Sequence, residues 1–141
     1  MTNVVRVAVA AMLIAVVSPA AEAQIAAPPG AKGYFIEPAD GATVKSPVKV
    51  KFGLSGMGIA PALVDWPNTG HHHLLIDRDG IPPGSPIPND AQSIHFGGGQ
   101  TEAEVTLASG KHTLMLQVGD HQHIPHLPSI ESPKITIAVV P

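Results

Sequence analysis

Between residues 46 and 54 the chain alternates: Val48, Val50, Phe52 and Leu54 fall on one side of an extended segment, and Lys49 and Lys51 on the other. The same period recurs over 101–107, where Ala103, Val105 and Leu107 oppose Glu102 and Glu104. It returns over 112–118 with Leu114, Leu116 and Val118, and over 133–140 with Ile135, Ile137 and Val139. A period of two belongs to a strand buried on one face, because successive side chains leave opposite sides of the pleated backbone. Shorter strands are predicted at 33–37 and 71–77. Pro38-Ala39-Asp40-Gly41, Arg78-Asp79-Gly80 and Ser109-Gly110 supply turn chemistry between them. Residues 55–70 read as a long loop. Residues 81–90, with Pro82, Pro83, Pro86 and Pro88, read as a loop or edge. No apolar spacing of 3.6 residues persists beyond residue 24. The pattern predicts an all-β fold, an antiparallel sandwich of six to eight strands, immunoglobulin-like or fibronectin-like.

The N-terminus has a different pattern. Arg6 precedes an unbroken apolar run from Val7 to Val17, followed by Ser18-Pro19 and Ala21-Glu22-Ala23. The run is shorter than the roughly 20 residues that cross a bilayer, and its small-residue flank fits a signal peptidase. The expected organisation is a signal peptide over 1–23, a flexible linker over 24–32 and one sandwich domain over 33–141. This implies a periplasmic or secreted protein with no stable membrane insertion after cleavage.

Composition narrows the chemistry. The 141 residues contain no cysteine, which excludes disulfides, thiolate metal sites and a cysteine nucleophile. Eight Lys+Arg against eleven Asp+Glu, a net charge of −3, leave no basic footprint for nucleic acid. Aromatics are few, so the core must rest on Val, Ile and Leu. Against 13% charged residues stand 8 histidines, all beyond position 70.

In an immunoglobulin-like strand order, 71–77 runs antiparallel to 112–118 in one sheet. The start of the first then lies beside the end of the second, which leads into His121, His123 and His126. The segment His95 to Gln100 and the loop carrying Asp65 and Trp66 reach the same end. Seven of the 8 histidines therefore converge, and His112 belongs at the other end. If Leu74 and Ile76 face the core, His72 shares their side, and His71 and His73 point outward with Leu75. The opposite phase buries His73. Apolar residues on both faces at 74–76 leave the choice open.

Imidazole is the commonest protein ligand of zinc and cupric ions, so convergent rings point to a transition metal, copper or zinc. The candidate ligands are His71, His73, His123 and His126, followed by His95, His72, Asp120 and His121. Met115, on the outer side of 112–118, offers a thioether. Other readings stay open. Histidines beside turns anchor loop carbonyls, and clustered imidazoles respond to pH. The second reading is a non-catalytic accessory module for an envelope protein or glycan. Catalysis is not expected, since only a metal-activated water offers plausible chemistry. Gly97-Gly98-Gly99 lacks the context of a phosphate loop and fits a close backbone approach near the histidines.

TGHHHLLIDRD (69–79), PIPNDAQSIHFGGGQTE (86–102), GKHTLMLQVGDHQHIPH (110–126) and YFIEPADGATVKSPVKVKFGLSGMGIAPA (34–62) resemble a family of small exported bacterial proteins classed as a domain of unknown function. The resemblance runs from about Gly33 to Val139. It implies histidine at 71, 72, 73, 95, 112, 123 and 126, without His121, and it implies one exported domain. It supplies no activity, substrate or cofactor.

Overall fold

The computed structural model describes residues 24–141, and the signal segment expected at 1–23 lies outside them. The described chain is all β. Its strands are β1 (Lys32–Glu37), β2 (Thr43–Lys45), β3 (Val48–Ser55), β4 (Gly58–Ile59), β5 (Thr69–Ile76), β6 (Ser93–His95), β7 (Glu102–Val105), β8 (Gly110–Gly119) and β9 (Ile135–Val140). One sheet has the order β1-β3-β7. The other runs β2-β9-β8-β5, with β4 and β6 both lying against the remaining edge of β5. β2 on β9 and β4 on β5 are parallel, so the second sheet is mixed rather than purely antiparallel as expected. Both are very short edge strands that join the sheet away from any hairpin.

The facing sides of the two sheets form one core. Val48, Val50 and Phe52 of β3 and Val105 of β7 meet Leu74, Ile76, Leu114, Leu116, Ile135, Ile137 and Val139 of the other sheet. These are the alternating positions of the sequence, and removing each from water contributes about 1.5–3 kcal/mol. The β5–β8 ladder pairs His72 with Val118, Leu74 with Leu116 and Ile76 with Leu114. His72 thus shares the inter-sheet face, and His71, His73 and Leu75 occupy the other.

That other face does not meet solvent. His71, His73 and Leu75 are as fully buried as Leu74. Residues 77–92 fold across it, and Ile81 and Ile87 pack on Leu75 and Met115 in a second apolar cluster. Buried Gln117 fastens this span: its Oε1 accepts from Ile81 N at 2.9 Å, and its Nε2 donates to Ile81 O at 2.8 Å. Proline cannot extend the ladder, but a proline-rich loop can still deliver apolar side chains on to it. Of the two phases left open for this strand, the structure has the one that turns His72 to the core and His71 and His73 to the outer face, and that outer face is covered.

The stretch read as a linker lies against the histidine end of the fold. Ala27 N donates to Leu127 O and Leu127 N to Ile25 O, both at 3.0 Å, and Gln24 Nε2 donates to Pro125 O at 2.7 Å.

Candidate metal centre

Three separate elements bring four imidazoles together. His71 and His73, two apart on β5, lean toward each other with their Nε2 atoms 3.2 Å apart. β6 pairs antiparallel with β5 so that His95 stands directly opposite His73. His123 closes the group from above, with ring centroids 5.1 Å from His71, 4.6 Å from His95 and 5.9 Å from His73. One ring nitrogen from each of His71, His95 and His123 lies within 4.8 Å of the others.

The loop carrying His123 is shaped for this placement. Asp120 Oδ1 accepts from Gln122 N at 2.8 Å and Ile124 N at 2.9 Å, and His123 N donates to Asp120 O at 2.9 Å. His123 itself adopts φ 69°, a left-handed conformation that residues other than glycine seldom take. Such strain is characteristic of functional sites. From the other side Ile87 N donates to His123 O at 2.8 Å, tying the proline-rich span to the same residue.

Two glycines make room. A Cβ on Gly97 would lie 2.2 Å from His95 Cε1, so the His95 ring occupies the volume a side chain there would need. A Cβ on Gly119, which faces His71 in the ladder, would lie 3.1 Å from His73 Nε2.

Burial holds His71, His73 and His95 uncharged. It lowers the pKa of His71 from 6.5 to about 4, with repulsion from His95 and His123 adding to the effect. Burial, then His71, His95 and His123, push His73 down to about 2. His95 is shifted the same way by burial and His123. At neutral pH these rings therefore present lone pairs rather than extra protons, the state a metal ion requires. His71 Nδ1, His73 Nδ1 and His95 Nε2 are buried without a hydrogen-bond partner.

The spacing suits a small ion. At metal–nitrogen bonds of about 2.0–2.1 Å, neighbouring donors of a tetrahedron stand about 3.3–3.4 Å apart. The 3.2 Å between His71 and His73 is already close to that edge. His95 and His123, only partly buried, stand farther out, with donor atoms within 4.8 Å of that of His71.

The other expected ligands go elsewhere. His72 faces the inter-sheet core, edge-on to Phe52 at 4.8 Å, and burial lowers its pKa to about 4. His126 is buried beside Gly70; burial lowers its pKa, opposed by Asp120 and by the carbonyls of Val118 and Thr69. Asp120 caps the loop through Oδ1. His121 turns to Asp65, with Nδ1 3.7 Å from its Oδ1. Met115 packs with Leu75, Ile81 and Ile87. His112 sits apart, 2.7 Å from Asp77 Oδ2, which raises its pKa. His95, placed in the second rank from sequence, belongs to the central group, because the three-residue β6 is too short to show a period. Gly97 was recognisable from its place beside His95. Nothing in the sequence marked Gly119, Gln117 or Ile87.

No curated protein and no solved structure matches this chain. A family profile does match, over residues 50–140, which hold β5, β6 and β8, all four clustered histidines and both space-making glycines. The chain therefore belongs to the family described as Domain of unknown function (DUF4399).

Proposed function

We propose that this protein binds a transition metal ion, copper or zinc, in the cage formed by His71, His73, His95 and His123. The observation that carries this reading is the convergence of ring nitrogens from His71, His95 and His123 within 4.8 Å of one another, with His73 Nε2 3.2 Å from His71 Nε2. The cage lies in an immunoglobulin-like sandwich, a reading supported by the orders β1-β3-β7 and β9-β8-β5. The protein is exported to the periplasm, a role consistent with the Val7–Val17 run and Ala21-Glu22-Ala23. It handles or stores the ion rather than catalysing a reaction.

The test is stoichiometric binding. Metal-free protein should take up one equivalent of ion. Uptake should fall at least ~100-fold in affinity for His95→Gln and for His123→Gly, as expected when a buried ligand is lost. His121→Ala and His112→Gln should bind as the parent does. Equal loss in all four variants, or binding no tighter than about millimolar, refutes the cage, since scattered surface histidines hold metal weakly.

A second reading has its own support. Leu63, Val64, Trp66 and Leu127 are exposed hydrophobics, and Trp66 lines a cleft of about 110 Å³ with Asp65, Asn68 and His121. Exposed apolar side chains grouped in this way favour an accessory module for an envelope protein or glycan.

A further inference from the structure

We propose that the cage selects a monovalent soft ion, cuprous copper, over the divalent ions. This rests on the metal-binding reading and concerns the charge the site tolerates.

Every donor in the group is a neutral imidazole. Among the described residues no Asp or Glu joins it. The buried carboxylate of the neighbouring loop, Asp120, has its Oδ1 taken by Gln122 N and Ile124 N, and it acts on His126. An ion in the cage therefore keeps its whole charge. His71 and His73 are 0% exposed and Leu75 packs beside them on the same strand face, so solvent can reach that charge only from the side of the partly buried His95 and His123. The cost of burying an ion rises with the square of its charge, so a divalent ion meets about four times the penalty of a monovalent one.

The outer support that divalent sites use is absent from two of the four rings. An imidazole bound to zinc usually donates its second N–H to a carboxylate or carbonyl, which makes it a stronger base. Here His71 Nδ1 and His73 Nδ1 have no partner. These donors suit an ion that asks less of its ligands.

Geometry separates the two copper states. Cupric ion prefers four donors in a plane, with neighbours about 2.8–3.0 Å apart at bonds near 2.0–2.1 Å. In the cage two rings rise from one face of β5, one from the neighbouring strand and one descends from the loop over it. A filled d shell imposes no plane, and cuprous ion accepts three nitrogens as readily as four.

The experiment is a set of competition titrations on the full chain. Cu(I) is presented anaerobically against a colorimetric Cu(I) chelator, and Zn(II) and Cu(II) are presented against their own chelators. Each is repeated on His95→Gln, His123→Gly and His121→Ala, with unfolding curves to show that the variants are folded. One Cu(I) per chain, held at least ~100-fold more tightly than Zn(II) and lost in the first two variants only, is the expected result. X-ray absorption should then show only nitrogen neighbours around copper. If Zn(II) or Cu(II) binds as tightly or more tightly, with the same dependence on His95 and His123, the charge preference is overturned and the cage stands. If no ion depends on those residues, the cage itself is wrong.

Discussion

Gly119 faces His71 across the β5–β8 ladder, yet a Cβ added to it would approach the next ring along, with His73 Nε2 at 3.1 Å. It would also meet the His123 backbone, with Cα at 3.2 Å and the carbonyl carbon at 3.3 Å. Backbone held by hydrogen bonds on both sides cannot retreat as a side chain can. Gly119→Ala should therefore lose about 1–3 kcal/mol to crowding and recover only about 0.4–1 kcal/mol from unfolded-state entropy. Denaturant unfolding should show a net loss, and metal titration should show weaker uptake, although every histidine remains. Unchanged values in both measurements would mean that the loop over the cage is looser than described.

The left-handed backbone of His123 makes two substitutions at one position informative. Alanine keeps the strain, about 1–2 kcal/mol for an L-residue, and glycine releases it. His123→Gly should therefore be the more stable variant while binding metal as poorly as His123→Ala. Free imidazole added to His123→Gly should restore uptake by filling the space the ring leaves. Failure of imidazole to restore binding, in a variant that unfolds cooperatively, would argue that His123 shapes the loop without touching the ion.

At the opposite end of the fold, His112 should give stability a dependence on pH. Its Nδ1 donates to Asp77 Oδ2 at 2.7 Å and its Nε2 lies 2.9 Å from Ala108 O, and these contacts raise its pKa above 6.5. The folded state thus holds the proton more tightly than the unfolded one. The added stability is complete below pH 6.5 and is lost as pH rises through the raised value. The pair lies near the surface, so the change should be about 1 kcal/mol or less. Burial lowers the values of His71, His72, His73, His95 and His126, which makes stability rise with pH in both proteins. His112 is therefore read from the gap between the unfolding midpoints of the parent and His112→Gln, which should be widest at pH 5.5 and close as pH rises toward 8.5. Parallel profiles for the two proteins would remove the ion pair from the account.

Gln117 carries the hold on the proline-rich span. In Gln117→Ala the N–H and C=O of Ile81 lose their partners in a buried setting, at about 1–3 kcal/mol. Hydrogen exchange and proteolysis should both quicken within 81–88, with β3 and β7 unaffected. A uniform loss of protection across the domain would show instead that Gln117 supports the fold as a whole.

The elements that face the inter-sheet core could be read from the sequence, and the covered outer face could not. Val48, Val50 and Phe52 announce their strand because Lys49 and Lys51 remain outside, and alternation reports such a contrast directly. On β5 the contrast vanishes, since Leu74, Leu75 and Ile76 are all buried. That continuous apolar run was the one sign that both faces of the strand are covered. It could not say by what, because Ile81 and Ile87 arrive on a loop with no period. The same limit applies to the histidines. Strand adjacency brings 71, 73, 95 and 123 to one region, but whether a ring turns into the cage depends on local backbone. The residues 120 to 126 show this: His123 enters the cage, His121 turns to Asp65 and His126 packs by Gly70.

The fastening of Ile87 to the carbonyl of His123 bears on time as well as affinity. The loop that carries a ligand ring and the span above it are joined by a backbone hydrogen bond, so lifting the span loosens that loop. Such lid movements run on the microsecond-to-second scale, slower than the nanosecond rotation of a side chain. An ion in the cage would then leave more readily while the span is open, and the hold of Gln117 on Ile81 would bear on dwell time.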